Sequence, residues 1–316
     1  METRKLKYDR VVAEFAGSEP GPLVVVFGAM HGNEKAGAKA LMYLQKMLEV
    51  EHITNPIFAF KGHLVGLIGN LKAYEIGERF IDIDINRHWD PTYISQIKSK
   101  PFQQLKAEDL EILQCVSIIE EAIKIYQPEK MYVLDLHTTS SDGGIFTIPS
   151  LHAESQEIAE KMYATVINGM IDNIKGTTLH YFNDDNFSIP TTAITFESGQ
   201  HYDPKSINRA IAATINFLRT IGSVNSEDVA NIHDQVLKDY VEALPRLTKL
   251  ILRHNVNEGD NFQMLPGFKN FQKVKKDELL ATDKNGNIYA HEEGRLLMPL
   301  YQKKGEDGFF LVREEE

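Results

Sequence analysis

Four short segments of this chain carry residue types suited to metal-assisted hydrolysis. His31-Gly-Asn-Glu34 sets an imidazole and a carboxylate three residues apart. At a helix start that spacing lets both face one metal ion, and both donor types suit zinc. Taken alone, a solvated histidine beside a helix N-terminus, with Glu34 near the positive end of the dipole, explains the pair as well. Asp135-Leu-His137 adds a second imidazole. In a strand, Asp135 shares a face with His137 and can orient it through the hydrogen bond that metal-bound imidazoles require. Phe196-Glu-Ser-Gly199 contributes Glu197, a carboxylate able to take a proton from an attacking water. In the segment from Arg79 to Arg87, Arg87 can hold a carboxylate bidentately and Asn86 can donate beside it. Arg79 can stabilise an oxyanion. A surface arginine pair bridged to Asp82 and Asp84 is the plainer reading of that last segment. Two ligands at short spacing and a distant third make a catalytic zinc site, because three protein ligands leave one position open for water. A site of two histidines and a glutamate accepts other divalent ions as well.

These residues can meet only if strand ends converge. Leu23 to Phe27 is a continuous apolar run, as in a strand buried on both faces, and Gly28-Ala-Met-His-Gly32 breaks it. Ala36 to Val50 then has apolar residues at helical spacing. Further strands are expected at His63–Ile68, Met131–Leu136, Ile145–Ile148, Thr177–Phe182 and Ala193–Phe196. Helices are expected over Lys106–Gln127, His152–Ile174 and Ser206–Ile221, the last leading away from the sheet. This alternation predicts an α/β fold, whose ligands bind outside the carboxyl ends of the strands. Three predicted strands end in candidate site residues, and that convergence raises each above its plainer reading. After Pro245 the texture changes. Thr248 to His254 reads as a strand and Asn285-Gly286 as a hairpin turn, with no long helix. The expected organisation is a catalytic domain at 1–242 and a small, mainly β domain at 243–316.

Lys plus Arg number 34 against 45 Asp plus Glu, a net charge of −11, so the chain lacks the basic excess of a nucleic-acid binder. An anionic substrate must therefore be held by a few local cations. The single cysteine, Cys115, sits at helical spacing with Ile112, Val116 and Ile119 and reads as a core residue. With no disulfide framework, no signal-peptide pattern and no apolar run of membrane-spanning length, the expectation is a soluble, cytoplasmic protein.

Taken together, His31-Gly-Asn-Glu34, Asp84-Ile-Asn-Arg87, Asp135-Leu-His137 and Glu197-Ser-Gly199 resemble the succinylglutamate desuccinylase/aspartoacylase family, which is related to zinc carboxypeptidases. Pro266 to Phe271 and His291 to Pro299 resemble the family's β domain, particularly its desuccinylase branch. The resemblance implies a mixed sheet flanked by helices and one zinc ion per chain, held by His31, Glu34 and His137. It implies Glu197 as general base, Arg79 as the transition-state arginine, and Asn86 and Arg87 as the pair that binds the substrate carboxylate. The implied reaction is hydrolysis of a small anionic N-acyl amino acid, with homo-oligomers possible. Two departures bear on substrate. Aspartoacylases carry an arginine shortly before the general base, whereas Tyr181 to Thr195 contains no Arg or Lys. They have Asn after the third metal ligand, where this chain has Thr138, and a C-terminal tyrosine that falls here around Phe309 or Phe310. These departures favour N-succinylglutamate over N-acetylaspartate. An aspartoacylase-type deacetylase, a carboxypeptidase-like peptidase and a metal-binding protein without turnover are the other readings.

Overall fold

The computed structural model describes residues 6–225, 227–229 and 232–315. In chain order its strands are β1 Val11–Ala16, β2 Glu19–Gly28, β3 Lys61–Ile68, β4 Met131–Thr139, β5 Phe146–Pro149, β6 Thr165–Asn168 and β7 Thr191–Gln200. There follow β8 Leu247–Asn255, β9 Gln263–Met264, β10 Lys273–Val274, β11 Leu279–Asp283, β12 Gly286–Tyr289, β13 Gly294–Leu297 and β14 Asp307–Glu314. The α-helices are α1 Lys35–Thr54, α2 Leu71–Ile76, α3 Pro91–Ser99, α4 Ala107–Tyr126, α5 Ala153–Lys161, α6 Thr178–Tyr181, α7 Lys205–Thr220 and α8 Ile232–Val241.

Eleven strands form one sheet in the order β1-β3-β2-β4-β7-β5-β6-β8-β14-β13-β10, and β12-β11-β9 form a small separate sheet. The centre is parallel: β3, β2, β4 and β7 run the same way. Both faces are covered, which is why the central strands read as unbroken apolar runs. On β2, Leu23, Val25 and Phe27 pack on the α4 side, and Val24 and Val26 pack on the side of α1 and α7. The C-terminal strands extend this sheet rather than standing apart from it: β8 pairs parallel with β6, and β14 pairs antiparallel with β8.

Several expectations are corrected. The long helix over His152–Ile174 is only α5, after which Tyr163 takes a left-handed φ of 50° and the β-branched run at Thr165 enters the sheet as β6. Thr177–Phe182 is not a strand but the short helix α6, held by contacts of Thr178 described below. The helix over Ser206–Ile221 does not leave the sheet: as α7 it buries Ala210, Ala213 and Phe217 against Leu134, Ile194 and Phe196. Edge strand β1 and helix α3 carry no strong periodicity. The α3 start is nonetheless marked by Asp90, which accepts from the Tyr93 N–H at 2.9 Å, and by Pro91 in the first turn.

The turn after β2 positions His31, and it is tight. Ala29 takes a left-handed φ of 53°, and the Gly69 and Asn70 N–H groups donate to Gly28 and Ala29 carbonyls, lacing the β2 end to the β3 end. Gly32 N–H donates to the Arg79 carbonyl at 3.0 Å. A Cβ on Gly32 would lie 2.1 Å from the Ala73 carbonyl carbon of α2, which is backbone and cannot move aside. Gly32→Ala is therefore expected to cost roughly 1–3 kcal/mol, read as a lower urea midpoint for the metal-free protein. An unchanged midpoint would show that this approach is slack.

Candidate active site

Seven residues carry the sequence expectations, and all seven line one cleft that is open to solvent. His31 and Glu34 lie on the loop from β2 to α1. Glu34 occupies the N-cap position of α1 but makes no capping bond, because its carboxylate turns toward the histidines. His137 sits in β4, directly opposite Glu197 of β7 in the parallel register. Arg79, Asn86 and Arg87 come from the irregular segment between α2 and α3.

His31, Glu34 and His137 each offer a ligand atom, and these atoms lie within 4.8 Å of one another. His31 Nδ1 is 2.8 Å from Glu34 Oε1, and His137 Nδ1 is 3.0 Å from Glu34 Oε2. The opposite ring nitrogens also face carboxylates: His31 Nε2 is 3.0 Å from Asp84 Oδ1, and His137 Nε2 is 3.0 Å from Asp135 Oδ2. A neutral imidazole has one N–H, so with Nε2–H donating to an aspartate the Nδ1 lone pair faces a carboxylate. A second proton on the ring, or a metal ion between the atoms, relieves such a contact. A divalent metal ion replaces two Nδ1 protons without changing the charge, and Asp84 and Asp135 then fix the ring orientations from behind. The donor set fits zinc.

Electrostatics follow from this crowding. Burial pushes Glu34 upward, but His31 and His137 outweigh it and hold the carboxyl well below the usual range. Burial lowers His137, yet Asp135 and Glu34 outweigh that and hold it well above an ordinary histidine. Glu197 behaves oppositely. Burial, reinforced by Glu34 and Asp135 against His137 and Arg79, lifts its pKa from 4.5 to about 8. Its Oε2 is buried without a hydrogen-bond partner. A buried carboxylate oxygen with no partner, beside a metal-type donor set, is in the right condition to receive a proton.

Arg79 spans the two acids, its Nη2 3.0 Å from Asp84 Oδ2 and its Nη1 3.3 Å from Glu34 Oε1. Arg87 donates to the Asn86 carbonyl at 2.8 Å and to Asp307 of β14 at 2.6 Å, while its Nε–H is buried with no hydrogen bond. Arg253 of β8 also donates to Asp307, at 2.6 Å.

Sequence reasoning missed four contributors. Asp84 was legible only as a salt-bridge partner, though it backs His31. Asp307 meets Arg87 across 220 residues, with no local signature. Glu108 of α4 is fully buried and accepts from Ile81, Asp82 and Ile83 N–H at 2.7, 3.0 and 3.1 Å, fixing the segment that carries both arginines. His201 lines the cleft, its Nδ1 2.7 Å from the Thr138 hydroxyl and its Nε2 3.3 Å from Gln302. Of the two C-terminal phenylalanines, Phe310 lines the cleft, whereas Phe309 packs in the core of the small sheet and stacks on His254.

Residues 20–221 match the family described as the succinylglutamate desuccinylase/aspartoacylase catalytic domain. The chain belongs to the succinylglutamate desuccinylase/aspartoacylase family. Among relatives of this family member, a succinylglutamate desuccinylase of Pseudoalteromonas atlantica is 21% identical over 86% of this chain and 72% of its own length. A probable aspartoacylase of Nostoc sp. is 29% identical over 40% of this chain, and an aspartoacylase of Danio rerio 25% identical over 46%. Those two matches span 38% and 46% of the aspartoacylases, less than half of their length. A crystal structure of a succinylglutamate desuccinylase/aspartoacylase from Rhodobacter sphaeroides superposes with a TM-score of 0.63 at 15% identity, covering 94% of this chain and 86% of that one. The product-bound ectoine utilization protein EutE (DoeB) from Ruegeria pomeroyi gives 0.61 at 16% with the same coverage. At such identities the likeness is one of fold. It agrees with a mixed sheet flanked by helices and a C-terminal antiparallel region. No helix among the described residues is long and apolar enough to cross a membrane.

The state of Glu197 in this family member has a measurable consequence. Its folded pKa is raised, so the metal-free folded protein keeps a proton that the unfolded chain releases from about pH 4.5 upward. That contribution to stability is fully present below pH 4.5 and is lost as pH rises toward about 8. Metal-free Glu197→Gln cannot ionise and escapes the loss. Its melting temperature relative to the parent should be little changed at pH 4 and should gain several degrees by pH 8. A difference that does not grow with pH would contradict the burial argument.

Proposed function

We propose that this chain is a zinc-dependent hydrolase that cleaves the amide bond of an N-acyl amino acid, releasing a carboxylic acid and a free amino acid. The observation that carries this reading is the convergence of His31, Glu34 and His137 beside the orphaned Glu197 carboxylate in one cleft. Family membership supports the reaction class, since both activities in the family's name remove an acyl group from an amino acid. When bound to His31, Glu34 and His137, zinc supplies a Lewis acid that polarises the scissile carbonyl and acidifies water.

The protein's own groups then divide the work. Glu197, ionised once a divalent cation sits beside it, accepts the proton of the attacking water and delivers it to the leaving amine. Three of the five Arg79 N–H donors are committed to Asp84 and Glu34, leaving two for the oxyanion that develops as the carbonyl is attacked. Arg87, whose Nε–H makes no hydrogen bond, supplies the cation for the substrate's α-carboxylate, with Asn86 alongside. Asp307 holds Nη2 and the Asn86 carbonyl holds Nη1, so the guanidinium is oriented before substrate arrives.

Chelation should abolish amide hydrolysis and added zinc should restore it. Glu197→Gln is expected to lower kcat by roughly 10²–10⁴-fold while zinc stoichiometry stays at one per chain. Full activity in that variant removes Glu197 from the mechanism, and loss of zinc makes it a ligand instead. Arg87→Lys keeps the charge but loses the planar fork. It should lower kcat/KM through KM, with Arg87→Ala lower still. Unchanged kinetics in both would move the carboxylate contact elsewhere.

A further inference from the structure

We propose that the amino acid released by this enzyme carries an apolar side chain, so that its α-carboxylate is the one carboxylate it bears. The proposal rests on the reading of the site as an N-acyl amino acid hydrolase and narrows its substrate class.

The cleft beyond the metal-type cluster is walled by Ile148, Met170, Ile171, Ile174, Leu179 and Phe310. All six belong to the main hydrophobic core and line the cleft, with Ile148, Ile171 and Ile174 keeping the most exposed surface. Four come from the segment 170–179, and that segment is fastened to the carboxylate clamp. Thr178 N–H donates to Asn86 Oδ1 at 3.2 Å, and Trp89 N–H donates to the Gly176 carbonyl at 2.9 Å. The Gly176 backbone lies so close to the Arg87 backbone that a Cβ would sit 2.1 Å from the Arg87 carbonyl oxygen. A substrate whose α-carboxylate meets Asn86 and Arg87 therefore places its side chain against this wall.

The wall has nothing to offer a charge. Among the described residues lining the cleft the arginines are Arg79 and Arg87, there is no lysine, and both arginines already face carboxylates. Glu306 and Asp307 flank Arg87, with Glu306 Oε2 3.6 Å from its Nε. A second carboxylate set against these six side chains would lie without a partner or approach these two acids. Either is strongly unfavourable. N-succinylglutamate, with three carboxylates, and N-acetylaspartate, with two, are both poor matches to this wall. An N-acetyl amino acid with a branched aliphatic side chain gains by burying it.

The test compares kcat/KM of the zinc-loaded enzyme for N-acetyl-L-leucine, N-acetyl-L-aspartate, N-succinyl-L-glutamate and Nα-acetyl-L-lysine. The leucine compound should exceed each of the others by tenfold or more. A smaller ratio, or preference for any charged side chain, overturns this proposal and leaves the hydrolase reading standing. No turnover of any of the four by zinc-loaded protein overturns both. Titration calorimetry on zinc-loaded Glu197→Gln gives a readout without turnover: N-acetyl-L-leucine should bind at least tenfold more tightly than N-acetyl-L-aspartate. Ile174→Arg, checked for folding by its melting temperature, should reduce that binding ratio at least tenfold. An unchanged ratio in a folded Ile174→Arg protein also overturns the placement of the side chain at this wall.

Discussion

The Glu34 carboxylate is the point on which the site depends. It is buried, and four groups aim at its two oxygens: His31 Nδ1 and Arg79 Nη1 at Oε1, His137 Nδ1 and Thr138 N–H at Oε2. Such a charge is tolerable in the interior only when its partners are all in place. Its partners come from β4 and from the α2–α3 segment, while Glu34 itself follows β2. The parallel pairing of β2 with β4, Leu23 opposite Met131 through Gly28 opposite Leu136, brings them together. A slip of one residue in that register would turn His137 to the opposite face and leave Glu34 without it.

Helix α4 supports the same arrangement from one side with buried acids. Glu108 gathers the backbone of residues 81–83 and the Asn70 side chain, and Glu111 accepts from Leu71 N–H and pairs with Arg10. Arg10 in turn donates to the Ile68 and Gly69 carbonyls at the end of β3. Loops at strand ends carry backbone groups that no ladder satisfies. Here one helix satisfies many of them with carboxylates, so irregular backbone is held as firmly as a strand. That rigidity lets Arg79 and Arg87 stand at fixed distances from a cluster carried by different elements.

What could be read from the sequence divides along physical lines. The central strands β2, β4 and β7 were legible because strands buried on both faces need unbroken apolar runs, and their ends marked His31, His137 and Glu197. The hairpin signalled by Asn285-Gly286 is present as β11 and β12, with Lys284-Asn285 as its two-residue turn and Gly286, at a φ of 121°, opening β12. The stretch from His152 to Phe182 was misread because its residues are set by tertiary contacts: Thr165 to Asn168 is captured between β5 and β8, and Thr178 is held by Asn86 and Asp135. Glu108 and Asp307 left no local trace, since an isolated acid on a helix or at a strand start looks solvent-facing until its distant partners are known.

The hydrogen bond from the Thr178 hydroxyl to Asp135 Oδ2, at 2.6 Å, joins two parts of the molecule that are easily thought of separately. Thr178 lies in the same short segment as the apolar wall, and the Asp135 oxygen it holds is the one that faces His137 Nε2. Asp135 sets how strongly that imidazole donates electrons through its other nitrogen. In the proposed reading, a change in the wall that moved Thr178 would also change its hold on Asp135 and, through it, on His137. In that reading, the wall that meets the side chain and the ligand that holds the metal are thus joined by a single carboxylate.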